Sequence, residues 1–153
     1  MWIIGVEIVL FFLIAPFCTM FHETGHALAA KWRQADNVVI TIGRGAPLWY
    51  KSWYGIQIIM RKWIFLSGYV ASSKQNSYST KEKCFIAISG PVFSLLLAAV
   101  FWWLNLLLPF RYLFYMLCLF NIWIGFINLI PFKIGQKESD GYTIYKQLCN
   151  LKS

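Results

Sequence analysis

The chain has 153 residues, enough for one compact unit, yet 59% are apolar and only 13% charged, where a soluble domain carries roughly 25% charged residues. That balance excludes an ordinary water-soluble globule. The formal charge of +8 would suit nucleic acid, but its distribution argues against that partner: thirteen of the fourteen basic residues lie in the stretches Lys31–Lys83 and Lys133–Lys152, and only Arg111 stands apart.

Three apolar stretches, Trp2–Ala30, Cys84–Phe110 and Leu113–Phe132, each reach the ~20 residues that cross a hydrocarbon core. They predict spans at about 2–30, 84–108 and 113–132. The first is too long for a signal-peptide core and has neither a basic residue before it nor a small-residue cleavage pattern after it. It therefore reads as a span and not as a targeting segment. With the N-terminus outside, the basic residues collect on the cytoplasmic side, as expected in a bacterial cytoplasmic membrane with the C-terminus in the cytoplasm.

The first helix should run from about Trp2 to Trp32, with Glu7 at the outer headgroups, Lys31 at the inner ones and a kink at Pro16. From Asp36 to Val70 the character changes. Val38–Ile42 and Ile56–Phe65 are β-branched and aromatic, punctuated by Gly43, Gly45, Pro47 and Gly55, which predicts short strands over about 37–70. Ala71–Thr80 reads as a polar, mobile loop. Pro109–Tyr112 should turn the second span into the third, and Tyr142–Leu151 has helical apolar spacing suited to a membrane surface. The expected fold is mainly α and integral to the membrane: three spans, a short sheet between the first two, and one unit over 1–153. Cys18, Cys84, Cys118 and Cys149 form no CxxC pair and read as free thiols.

His22-Glu23-Thr24-Gly25-His26 carries the chemistry. On a helix, His22 and His26 project from one face and can reach one zinc at ~2.0–2.1 Å. Glu23 can serve as general base toward a water there. These are the only histidines in the chain, and ionisable groups within a span are functional-site candidates. A catalytic zinc needs a third protein ligand and an open position, and with no third histidine a carboxylate must supply it. Of the six acids, Glu7 is about 22 Å along the helix from His22, and Asp36 and Glu82 read as solvated. Glu138 and Asp140 remain. Both follow the third span, whose end lies on the same side as the end of the first. Asn121, Gly125 and Asn128 share a face of that span; Asn121 suits helix–helix contact, while Asn128, nearer the metal, could bind a substrate carbonyl.

Taken together, the chain resembles the site-2 protease family of intramembrane zinc metalloproteases. HETGH looks like its metal-binding helix, and Ile40–Leu48 (ITIGRGAPL) like its glycine-rich segment. Phe65–Val70 (FLSGYV) is similar to the end of its membrane-associated β-hairpin. Ser89–Val100 (SGPVFSLLLAAV) resembles its second core helix, with Ser94 in the usual place of an Asn. Asn128–Pro131 followed by Asp140-Gly141 resembles its Asn-Pro…Asp-Gly element. The gap from Asn128 to Asp140 is longer than usual and Ser139 replaces a customary Leu, which keeps Glu138 as the alternative ligand. The resemblance implies one Zn2+ per chain on His22, His26 and Asp140, Glu23 as base, and Asn128 at the substrate. It implies, as partners, the lipid bilayer and a membrane-spanning or membrane-bound peptide; the family's frequent peptide-binding domain is not expected, since no segment of these 153 residues could hold one. An exposed strand edge within Val38–Phe65 could hold that peptide extended. The alternative is a non-catalytic family member that binds membrane substrates or assists a transporter. Oligomeric state is not legible.

Overall fold

The computed structural model describes residues 2–149, with the side chains of all but residues 2–11 and 66. The elements in order are α1 (Trp2–Trp32), β1 (Asn37–Trp53), β2 (Ile56–Ser73), α2 (Thr80–Leu107), α3 (Arg111–Leu129), β3 (Lys133–Ile134), β4 (Lys137–Glu138) and α4 (Asp140–Cys149). The protein is mostly helical with a small antiparallel sheet.

Among the described residues two helices, α2 and α3, are long and apolar enough to cross a membrane, not the three expected. The difference lies in α1. Its described side chains begin at Phe12 and include His22, Glu23, Thr24 and His26, so the polar motif dilutes the apolar character of the part that is seen. Glu7 falls among the side chains outside the description. The helix has the expected extent and runs unbroken through Pro16. Lys31, in its last turn, reaches past the helix end and donates Nζ to Ala35 O at 3.1 Å, which ties the helix to the turn into β1.

The strands are longer than expected, 17 and 18 residues, and β2 takes in Ala71–Ser73 of the supposed loop. Residues 38–42 of β1 pair with Gly68–Ser72 on one side and Ile56–Met60 on the other. That inner segment is accordingly buried: Val38, Ile40 and Ile42 pack on Ala27 and Ala30 of α1. Burying each such side chain contributes roughly 1.5–3 kcal/mol. The rest of the supposed loop is short because Ser79 caps α2 in a capping box with Glu82, satisfying two terminal amides.

Helices α2 and α3 form the predicted hairpin, and α1 packs on both. Ile14 and Cys18 of α1 meet Leu117 and Ile124 of α3. Asn121, fully buried, donates to Leu117 O at 2.8 Å and to Cys18 Sγ at 3.1 Å, the helix-contact role expected of it. All four cysteines are free. Large apolar side chains such as Trp102, Trp103, Leu106 and Phe126 remain exposed on the outside of the helices, the kind of patch that marks an interaction surface.

Helix α3 ends at Leu129, three residues before the expected limit. Pro131 is the reason: it forces Ile130 into extended backbone (ψ 126°). The β3–β4 hairpin then intervenes before α4 begins at Asp140. The tail is helical as expected, and α4 packs against α2 and α3; Leu151 lies beyond the described residues.

Candidate metal and active site

One helical turn separates His22 from His26, and both are buried, at 4% and 7% exposure. Their outer nitrogens are engaged. His26 Nδ1 donates to Ile86 O at 2.7 Å; a carbonyl can only accept, so the proton sits on Nδ1 and Nε2 is left with its lone pair. His22 Nδ1 lies 3.0 Å from Ser94 Oγ, and a hydroxyl accepting there frees its Nε2 likewise. The two Nε2 atoms are 3.2 Å apart.

Asp140 completes the cluster. Its Oδ2 is 3.1 Å from His22 Nε2 and its Oδ1 3.2 Å from His26 Nε2. With both imidazoles neutral these are all lone-pair atoms, and atoms brought this close suit a shared cation. Ligands at ~2.0–2.1 Å in a tetrahedron stand about 3.3 Å from one another, so the observed spacings fit a zinc-sized ion. The structure brings Asp140, not Glu138, to the histidines. Glu138 is turned to Lys133 (3.2 Å) and Lys146 (3.4 Å) instead.

Asp140 is held there by Ser139, whose hydroxyl donates to Ile130 O (2.7 Å) and accepts from Phe132 N (3.0 Å) and Tyr142 N (3.1 Å). Ser139 thus caps α4 and ties its first residue to the end of α3. Gly141 permits the approach, since a Cβ there would overlap the Leu129 carbonyl. A Cβ on Gly90 would overlap the His26 ring, and one on Gly25 would lie 2.7 Å from Ser89 O. The α1–α2 crossing therefore depends on facing glycines.

Glu23 is buried at 8% exposure and lies against β2: a Cβ on Gly68 would come within 2.8 Å of its Oε1. Asn128 donates to Ile124 O at 3.0 Å, a bond within α3, and its side chain lines the space beside the triad. A cleft of about 760 Å3 opens on the triad, walled by Gly68–Ser72 of β2 and by the β3–β4 hairpin. The exposed strand by the triad is therefore the end of β2, beyond the expected Val38–Phe65. A second cavity of about 420 Å3 reaches His22 and Glu23 from the α1–α3 side, lined by Thr19, Phe65, Phe120, Trp123 and Ile127. Lys137 borders both. Burial, and then the charge of Arg44, push its ammonium below the ordinary lysine range, with Glu23 and Tyr69 acting the other way.

Sequence reasoning noticed Ser94 and Ser139 only as departures from a pattern. Their signal was there to be read: each puts a hydroxyl in the place of a customary Asn or Leu, beside a ligand.

A model of peptidase family M50, the site-2 protease family, matches residues 9–110. The match takes in His22, Glu23, His26, Gly90 and Ser94, while Asp140 joins them through the fold. No curated protein matches the chain.

Proposed function

The chain belongs to peptidase family M50, a family of zinc metalloproteases, and from that premise we propose that it is an intramembrane endopeptidase. It hydrolyses peptide bonds of membrane-spanning or membrane-bound peptides. In this reading α1, α2 and α3 all cross the bilayer, with the triad toward the cytoplasmic side of a bacterial membrane and the N-terminus outside. Two apolar helices and the segregated basic residues support that topology.

The observation that carries the reading is the convergence of three ligand atoms beside a buried glutamate. His22, His26 and Asp140 would hold one Zn2+, with Ser94 and the Ile86 carbonyl orienting the imidazoles, since partners behind the ligands fix their rotation and tautomer. When bound, the ion supplies Lewis-acid polarisation of the scissile carbonyl and of an attacking water. Glu23 takes the water's proton and returns it to the leaving amine. Asn128, bordering both cavities, is placed to steady a substrate carbonyl once its side chain turns from Ile124 O. The substrate must be extended, because a helix conceals its carbonyls in hydrogen bonds; the edge at Gly68–Ser72 offers backbone partners for such a strand.

The stretched gap before Asp140 counts slightly toward the non-catalytic alternative. The β3–β4 hairpin takes up those residues and still leaves Asp140 3.1–3.2 Å from both histidines, so that support falls away. The test is zinc per purified chain together with cleavage of a co-expressed single-span peptide. Glu23→Gln should keep zinc and abolish cleavage; His26→Ala and Asp140→Ala should lose both. Cleavage by Glu23→Gln would overturn the mechanism. A wild type that holds zinc and cleaves no membrane peptide would favour the non-catalytic reading.

A further inference from the structure

The carboxylates around the larger cleft are all committed. Asp140 lies between the histidines, Glu23 is enclosed against Gly68, and Glu138 is shared by Lys133 and Lys146. The cations there are not. Arg44, Lys83 and Lys137 border the same cleft, and among the described residues none of the three forms an ion pair. A membrane topology that gathers basic residues on one face explains a scatter of cations; it does not explain three bordering one cleft, where Glu23 acts on Lys137 only from a distance and no carboxylate forms an ion pair with them.

Two of these cations are placed by particular backbone. Arg44 stands between Gly43 (φ 92°) and Gly45 (φ 89°), both in the left-handed region that glycine tolerates, and Arg61 braces this turn by donating to Gly45 O at 2.8 Å. Lys137 rides on the β3–β4 hairpin, the excursion that lengthens the path to Asp140. Burial, and then the charge of Arg44 across the cleft, depress the lysine's affinity for its proton, with Glu23 and Tyr69 acting the other way. Like charges held near one another with no ion-paired carboxylate suit an anion. The smaller cavity, on the other side of His22 and Glu23, is walled by Phe65, Phe120 and Trp123 and suits an apolar segment.

Building on the intramembrane-protease reading, we infer that the substrate carries a carboxylate on one side of the scissile bond, received by Arg44 and Lys137, and an apolar segment on the other, received by the α1–α3 cavity. Arg44 and Lys137 are then specificity residues. The carboxylate can come from an acidic side chain or from the peptide's own C-terminus.

The test measures binding, so that it stands apart from turnover. The full chain carrying Glu23→Gln is loaded with zinc in detergent, and its affinity is measured for labelled peptides with one leucine–alanine span and a short polar tail. One tail has two glutamates and a free C-terminus, a second has two glutamines, and a third has the glutamates with an amidated end. The diglutamate peptide should bind about tenfold tighter than a peptide without the responsible carboxylate, in line with a charged hydrogen bond. The preference should vanish in Arg44→Gln/Lys137→Gln, persist in Lys137→Arg and survive Lys62→Gln, which removes a cation away from the cleft. Loss with the glutamine tail identifies a side-chain carboxylate; loss with the amidated tail identifies the terminus. Equal binding of all three peptides, or an equal loss of preference in Lys62→Gln, overturns the inference. Zinc content and melting temperature of each variant verify the fold. If the wild type cleaves nothing while the preference stands, the protease reading fails and the anion site survives.

Discussion

The two sides of the metal triad are built differently. His22 and His26 come from a single turn of a buried helix and are braced from behind by Ser94 and Ile86 on α2. Asp140 comes from the start of a ten-residue helix, after a hairpin whose strands are exposed and two residues each. One side obtains its geometry from helical periodicity and the packing of α1 on α2; the other obtains it from one capping serine and the approach of Gly141 to the end of α3. A rigid half and a tethered half should therefore respond differently to substitution.

The largest effect is expected at the rigid half. Gly90→Ala drives a methyl group into the His26 ring against a backbone that cannot retreat; zinc should be lost and stability should fall by about 3 kcal/mol, the upper range for overpacking. Zinc analysis and thermal unfolding of the same sample check this. Next comes Gly68→Ala, which presses on Glu23 without touching a ligand. Zinc should stay, while kcat falls about a hundredfold because the base is displaced; a parallel loss of zinc would refute that separation. At the tethered half, Ser139→Ala removes the cap and leaves Phe132 N–H without its partner. We expect a loss of about 1–2 kcal/mol in stability and roughly tenfold weaker zinc binding, measured by competition with a chelator. Ser94→Ala should weaken zinc by a similar factor through the opposite ligand. The smallest effect belongs to Glu138→Ala: its ion pairs with Lys133 and Lys146 are exposed and screened by solvent, so melting temperature and zinc content should both be unchanged. Across the series, zinc retention should rise with pH and fall on acidification, because protons compete for the ligand atoms; titrating zinc content against pH checks the sign.

The contrast also explains what could be read in advance. The first helix, the α2–α3 hairpin and the His22–His26 pair follow from periodicity and spacing, which are local. Asp140 could be narrowed to one of two acids, but choosing between it and Glu138 required the β3–β4 turn, and Lys133–Glu138 is too short and polar to announce a hairpin. The strands were underestimated because β1 and β2 bend and pair twice, so no single alternation runs through them. Gly68 and Gly90 gave no sign of their importance, since what they touch lies far away in sequence.

The glycine seam between α1 and α2 has one more consequence. Gly25 and Gly90 bring two backbones together so closely that nothing can pass between those helices. The α1–α3 flank, by contrast, keeps a cavity reaching His22 and Glu23. The proposed enzyme is thus closed between α1 and α2 and open between α1 and α3, so a peptide arriving laterally from the bilayer reaches the glutamate through the α1–α3 flank.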